Sequence, residues 1–248
     1  GALILLVWGR RLGVRYLARE GSPTLGGLGA IEGADFALMG LLLAFALSGA
    51  LQRFDERRQL ILQEANAIST AYDRLDLMDD EARGALKAQL KRYLKARLDL
   101  YRMPMTFSPW RTHPAYSSGQ LELIAKRKAD LWSTAAAACR PAGQQTACAA
   151  LLAALNNVFE VARLRSGANE RHPPQIMYVM LFSLGLGGSL LAGFGMAVTK
   201  RRSWVHMLVF AAALSSTLFV ITSIEFPRLG LFRVDYFDHF LVEVYEAM

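Results

Sequence analysis

The sequence predicts an all-α, multi-pass membrane protein. Four transmembrane helices are expected, the first truncated at the N-terminus, with a helical extramembrane domain between the second and third spans. Three observations carry this expectation. Hydrophobic residues make up 53% of the 248 and charged ones 20%. The mean hydropathy of +0.24 is too apolar for a typical soluble domain and too polar for membrane helices alone. The apolar residues gather into long uncharged runs, and no segment alternates polar and apolar residues as a half-buried strand does. Such a composition excludes a disordered chain, a disulfide-framework mini-protein and a collagen-like sequence.

The spans come first. Residues 1–9 (GALILLVWG) are apolar up to Arg10 and read as the end of a first span. Residues 36–51 (FALMGLLLAFALSGAL) form the second, extended back through Asp35 and Gly33. Residues 176–198 carry no charge, and residues 203–224 carry only His206 as a titratable group. Each of these last two runs exceeds the ~20 residues that cross a hydrocarbon core of ~30 Å.

Basic residues set the orientation. Arg10, Arg11, Arg15 and Arg19 lie between the first two apolar runs, and Lys200, Arg201 and Arg202 lie between the last two. The positive-inside rule assigns both connections to the cytoplasm. The long segment 53–173 and the C-terminus are then expected in the periplasm, with the protein in a bacterial inner membrane. Arg53, Arg57 and Arg58 pull the other way, but they alternate with Asp55 and Glu56 at the head of a large domain. The net charge of +7 does not indicate nucleic acid, because the bases are spread along helices and no nucleic-acid motif is present.

The water-facing part reads as helices. No Gly or Pro interrupts the chain between Ala50 and Gly84, so one helix is expected from about 34 to about 77. Asp79, Asp80 and Glu81 read as the start of the next. On that helix Leu86, Leu90, Tyr93, Leu94, Arg97, Leu98 and Tyr101 share a face. Residues 104–117 read as a loop, residues 121–139 as a third helix and residues 144–167 as a fourth. Pro173 and Pro174 break the chain before the third span. The C-terminal stretch reads as an amphipathic helix packed on the bundle, with Phe237, Phe240, Leu241, Val244 and Met248 inward and Asp235, Asp238, Glu243 and Glu246 outward. The expected domains are 1–52, 53–173, 174–226 and 227–248.

Cys139 and Cys148 bracket a Pro-Ala-Gly turn between two helical patterns. A hairpin disulfide is geometrically reasonable there and suits an oxidising compartment. Two small apolar residues in Ala-rich helices is the other reading. No metal site and no cofactor are expected, since the four histidines are scattered and no second Cys pair exists. No catalytic motif is present, so the chain is not read as an enzyme.

A family resemblance follows from three stretches. EANAISTAYDRLDL on the helix after the second span resembles the bacterial bestrophin-like membrane proteins of unknown function. FPRLGLFRV after the last span does so too, as does the arrangement of Arg165, Arg171 and Pro173 before the third span. The resemblance covers nearly the whole chain. It implies kinship to bestrophins, pentameric anion channels, and hence a homo-oligomer, with five subunits implied, in the lipid bilayer with inorganic ions as partners. The acidic calcium clasp of animal bestrophins has no counterpart here. The expected function is an oligomeric ion channel, with anions favoured. The alternative is a non-conducting membrane protein whose helical domain binds a partner or senses the cell envelope.

Several residues are candidates on this reading. Gly40, Ala44 and Ser48 form a small-residue stripe on the second span, and Gly185, Ser189, Gly193 and Ala197 form another on the third. Such stripes let helices pack closely or line a narrow pore. Leu43, Leu47 and Leu51 are candidates for a hydrophobic gate. Asn66, Thr70 and Arg74 recur at i+4 on one face, with Glu64 beside them. They form either a polar seam between helices or an ion path. Glu225 at the end of the last span is expected to pair with Arg74, Arg165 or Arg228, as a structural bridge or a functional site.

Overall fold

The computed structural model describes residues 1–20, 26–102, 118–140, 144–198, 204–226 and 234–248. The described elements are helical: α1 (Ala2–Glu20), α2 (Gly26–Arg74), α3 (Asp80–Arg102), α4 (Ser118–Ala138), α5 (Gln145–Glu170), α6 (Gln175–Gly195), α7 (Trp204–Glu225) and α8 (His239–Ala247). Short 3-10 turns at Leu75–Leu77, Met196–Val198 and Val234–Asp238 close α2 and α6 and open α8. The chain divides into two compact units. One holds Gly1–Leu51 and Pro173–Glu225, the other Gln52–His172 and Phe226–Met248.

The first unit contains α1, the apolar part of α2, α6 and α7. Three stretches, Gly29–Leu77, Gln145–Gly195 and Trp204–Glu225, are long and apolar enough to cross a membrane; their uncharged runs fall on α2, α6 and α7. The expected fourth span is not among them. Helix α1 starts beside Leu186, about halfway along α6, and passes the end of α6 where Gly13 meets Ala197. It thus runs parallel to α6, and the basic residues Arg10, Arg11, Arg15 and Arg19 lie on a helix rather than in the expected loop.

Glycines decide how closely α1 and α6 pack. A Cβ on Gly9 would overlap the carbonyl oxygen of Leu190, and one on Gly193 would overlap that of Leu6. Only hydrogen fits at either crossing point. Leu6 is consequently fully buried, in a cluster with Met207 and Ala211 of α7. A second cluster joins Ala46 of α2 to Leu181 and Ile221.

In the second unit the rest of α2 packs with α3, α4, α5 and α8. Their apolar faces meet in one core that includes Ile68, Leu75, Leu90, Leu94, Leu131 and Leu155. Tyr93 and Trp132 both meet Phe159 edge-on, with ring centroids 5.7 and 6.3 Å apart. Helix α2 begins eight residues before its expected start, and its glycines at 29 and 33 sit in open surroundings. The C-terminal stretch packs on the bundle through the fully buried Leu241. Tyr72 holds its end by donating a hydrogen bond of 2.9 Å to the main-chain oxygen of Met248. The loop expected at 104–117 and the Pro-Ala-Gly turn lie outside the described residues. Cys139 and Cys148 on either side of that turn are joined as a disulfide, with Cα atoms 5.5 Å apart.

Candidate functional site

Two sets of polar or small residues stand out, one in each unit. In the first unit they lie on α2. Gly40, Ala44 and Ser48 are exposed on the chain, and no atom lies within 4 Å of where a Cβ on Gly40 would sit. Leu51 continues the stripe at 46% exposure. The opposite side of the helix is packed, with Met39, Ala46 and Ala50 buried. Leu43 and Leu47 sit half-buried against the Ala46–Leu181–Ile221 cluster. Large side chains on the open face include Leu41 and Phe45, 54% and 64% exposed, which are not among the gate candidates Leu43, Leu47 and Leu51. The second small-residue stripe behaves differently. Gly193 packs on α1, Gly185 packs on Leu214 of α7, and Ser189 is buried with its hydroxyl donating to the carbonyl of Gly185.

In the second unit a charged cluster is buried. Glu64 of α2 is fully enclosed, 13 residues beyond the end of the apolar run. Its Oε1 accepts from Nε of Arg97 at 3.0 Å, and its Oε2 accepts from Nη1 of Arg165 at 2.8 Å. The hydroxyl of Tyr101 donates to Oε2 at 3.3 Å and accepts from Arg97. Arg97 also reaches the carbonyl oxygen of Ala162 at 3.2 Å. Arg165 stacks over the Tyr101 ring, 3.5 Å from its centroid, and bonds Asp238 with its second terminal nitrogen. Two guanidiniums thus meet two carboxylates, and the residue types match the geometry: Arg presents forked donors that satisfy a carboxylate on two sides.

The electrostatics follow from this pairing. Burial drives the Glu64 carboxyl up, but Arg97 and Arg165 outweigh it and hold Glu64 below the usual carboxylate range. Burial lowers the two arginines, yet Tyr101 and Glu64 bring the net effect above the ordinary value, so both stay charged. Tyr93 is pushed up to about 12, mainly by burial. Glu64 and the two arginines are thus held ionised against one another. Among the described residues no group of three or more His, Cys, Asp or Glu side chains comes together as a metal site would require.

The other candidates separate. Asn66 and Thr70 are exposed on α2, and Arg74 is half-buried with Nη1 donating to the carbonyl oxygen of Ala150 at 2.7 Å. Arg165 takes Glu64 and Asp238 as its acids, and Arg74 takes the carbonyl of Ala150. Glu225 is buried at the end of α7; Arg228 lies outside the described residues. Asp238 is turned inward, against its expected place on the outer face, because a 3-10 turn rather than α-helix carries it. Sequence reasoning missed Arg97 and Tyr101. The signal was present: Arg97 falls among leucines on the apolar face of α3, where an arginine needs a buried acid.

The three apolar helices define an all-helical membrane protein, and its second unit is held by an enclosed ion cluster. The chain belongs to the bestrophin-like family: the Bestrophin-like domain matches residues 37–236. Among solved structures, a variant of a bacterial bestrophin homologue from Klebsiella pneumoniae is similar at 14% identity, covering 98% of this chain and 97% of its own, with a TM-score of 0.68. A second variant of that homologue gives 0.67 at the same identity and coverage. A crystal structure of a membrane protein gives 0.70 at 14% identity, covering 99% of this chain and 98% of its own. At such identity the likeness is one of fold. No curated protein matches the chain.

Proposed function

We propose that this protein is a subunit of an oligomeric channel for inorganic ions, with anions preferred, and that the open face of α2 lines the conduction path. The observation that carries the reading is the small-residue stripe Gly40–Ala44–Ser48, exposed on a helix whose other side is packed. A lipid-facing surface needs no gap of this kind, since large apolar side chains serve there. Small residues exposed on a span suit close approach to a second copy or to a water-filled path. Leu41, Phe45 and Leu51 on the same side can narrow such a path and gate it by dewetting. The bestrophin kinship supports the anion preference and a pentamer.

The proposed setting is a bacterial inner membrane, with residues 53–173 and the C-terminus in the periplasm. The clustered bases of α1 and of residues 200–202 support it. The Cys139–Cys148 bond suits it too, because disulfides persist in oxidising compartments. Planar-bilayer recordings of the purified protein under chloride-to-gluconate and sodium-to-potassium exchange test the channel. Conductance that follows the anion is expected. Silence from an intact oligomer would overturn it and leave the partner-binding alternative.

A further inference from the structure

A groove between α3 and α4 belongs neither to the proposed path nor to the buried ion cluster. Its volume is about 300 Å³, and it is lined by Gln89, Arg92, Arg127, Asp130, Ser133 and Thr134. That volume stands at the low end of the ~300–1,000 Å³ usual for small-molecule sites. Helical spacing builds it. Gln89 and Arg92 are one turn apart on α3, and Arg127, Asp130 and Thr134 follow at i, i+3 and i+7 on α4.

The groove holds unmet bonding capacity. Arg127 makes no hydrogen bond or ion pair among the described residues, Arg92 bonds only the carbonyl oxygen of Ala88, and the Asp130 carboxylate has no cation. Thr134 donates its hydroxyl hydrogen to the carbonyl of Asp130 at 2.9 Å, so its oxygen can only accept, and it accepts from Nε2 of Gln89 at 2.9 Å. This fixes the orientation of the Gln89 amide. Its Oε1 is thereby left buried with no donor. A buried acceptor without a partner costs about 1–3 kcal/mol, but this oxygen is shielded from solvent, so the bonding capacity open to a ligand is that of Arg92, Arg127 and Asp130.

The site therefore offers two guanidiniums for acids and a carboxylate for a donor. We propose that the α3–α4 groove binds an acidic α-amino acid. Its two carboxylates match Arg92 and Arg127, and its ammonium matches Asp130. The ligand's net charge of about −1 near neutral pH balances the two arginines and one aspartate of the site. A dicarboxylate lacking the amine leaves Asp130 facing an anion. A neutral amino acid leaves one guanidinium unmatched.

Equilibrium dialysis of the full chain in detergent with labelled L-glutamate tests the proposal, with glutarate, L-alanine and inorganic phosphate as competitors. Saturable glutamate binding is expected, with each competitor weaker by at least about tenfold. Arg127→Gln and Arg92→Gln should each weaken glutamate by about tenfold or more. Asp130→Asn should weaken glutamate but not glutarate. Melting curves confirm that each variant is folded; the two arginine variants are independent, so one suffices if the other unfolds. No saturable binding by the folded wild type would overturn the proposal. So would glutarate or phosphate binding as tightly as glutamate, or indifference to folded Arg127→Gln or Arg92→Gln. The result is separable from conduction, which is read in bilayers.

Discussion

Glu64 shows how one carboxylate fixes the meeting of three helices. It joins Arg97 of α3 to Arg165 of α5, and Arg165 carries the connection to Asp238. Removing one member of a buried ionic set costs about 3–5 kcal/mol, because the charges left behind are neither solvated nor paired. Glu64→Gln should therefore lower the melting midpoint by roughly 10 °C at pH 7, using ~2–4 °C per kcal/mol for a chain of this size. The pH dependence has a definite sign. A carboxyl held below its unfolded value stabilises the fold above that unfolded value, near 4.3. The stabilisation fades as pH falls from there through the lower folded value. The midpoint of the wild type should fall more steeply than that of Glu64→Gln below pH about 5; parallel curves in calorimetry would refute the assignment. Glu64 was legible as a polar residue off the Asn66–Thr70–Arg74 stripe. Its partners were not, because they lie 33 and 101 residues away, and pairing at that range depends on how helices cross.

At the scale of the helix, uninterrupted runs were readable and close crossings were not. The length of α2 follows from the absence of breakers after Ala50. The helix starts at Gly26, eight residues before the expected position, and Gly29 and Gly33 are carried inside it because single glycines in a supported helix cost only about 1 kcal/mol each. The α1–α6 crossing rests on Gly9 and Gly193 touching opposing carbonyls. Neither is distinguishable in sequence from a glycine that packs on nothing, as Gly40 does. Gly193→Ala should separate α1 from α6 and destabilise the first unit by about 1–3 kcal/mol. Gly40→Ala, with open space around it, should leave the isolated chain's stability equal or higher. Thermal melts of the two variants in detergent make the comparison. The same small stripe pattern thus has two outcomes, packed within the chain on α6 and open on α2, and only the placement of neighbours tells them apart.

For the whole molecule, the membrane character and the helical second unit were visible in the clustering of apolar and charged residues. Subunit arrangement was not, since a single chain carries no record of the symmetry that copies adopt. Ser48→Trp on the open face should abolish or sharply reduce bilayer conductance while the melting midpoint shifts little, because Ser48 is exposed among the described residues. A reporter that matures only in the periplasm, fused after Met248, should be active; activity in the cytoplasm alone would reverse the proposed orientation. Reducing the Cys139–Cys148 bond opens a short loop and should cost roughly 2–3 kcal/mol by chain-entropy reckoning, read as a lower midpoint with dithiothreitol that a Cys139→Ala, Cys148→Ala variant does not show.

The second unit is discontinuous, and this bears on the order in which it can be made. Residues 52–172 leave the ribosome first, then the 53 residues of 173–225, and only afterwards Asp238 and Leu241. At the ~5–20 residues per second of synthesis, the bundle waits several seconds with Arg165 lacking its second acid and the Leu241 socket empty. During that interval the two apolar helices α6 and α7 are made. The last stretch therefore completes the second unit only after residues 173–225 have been synthesised.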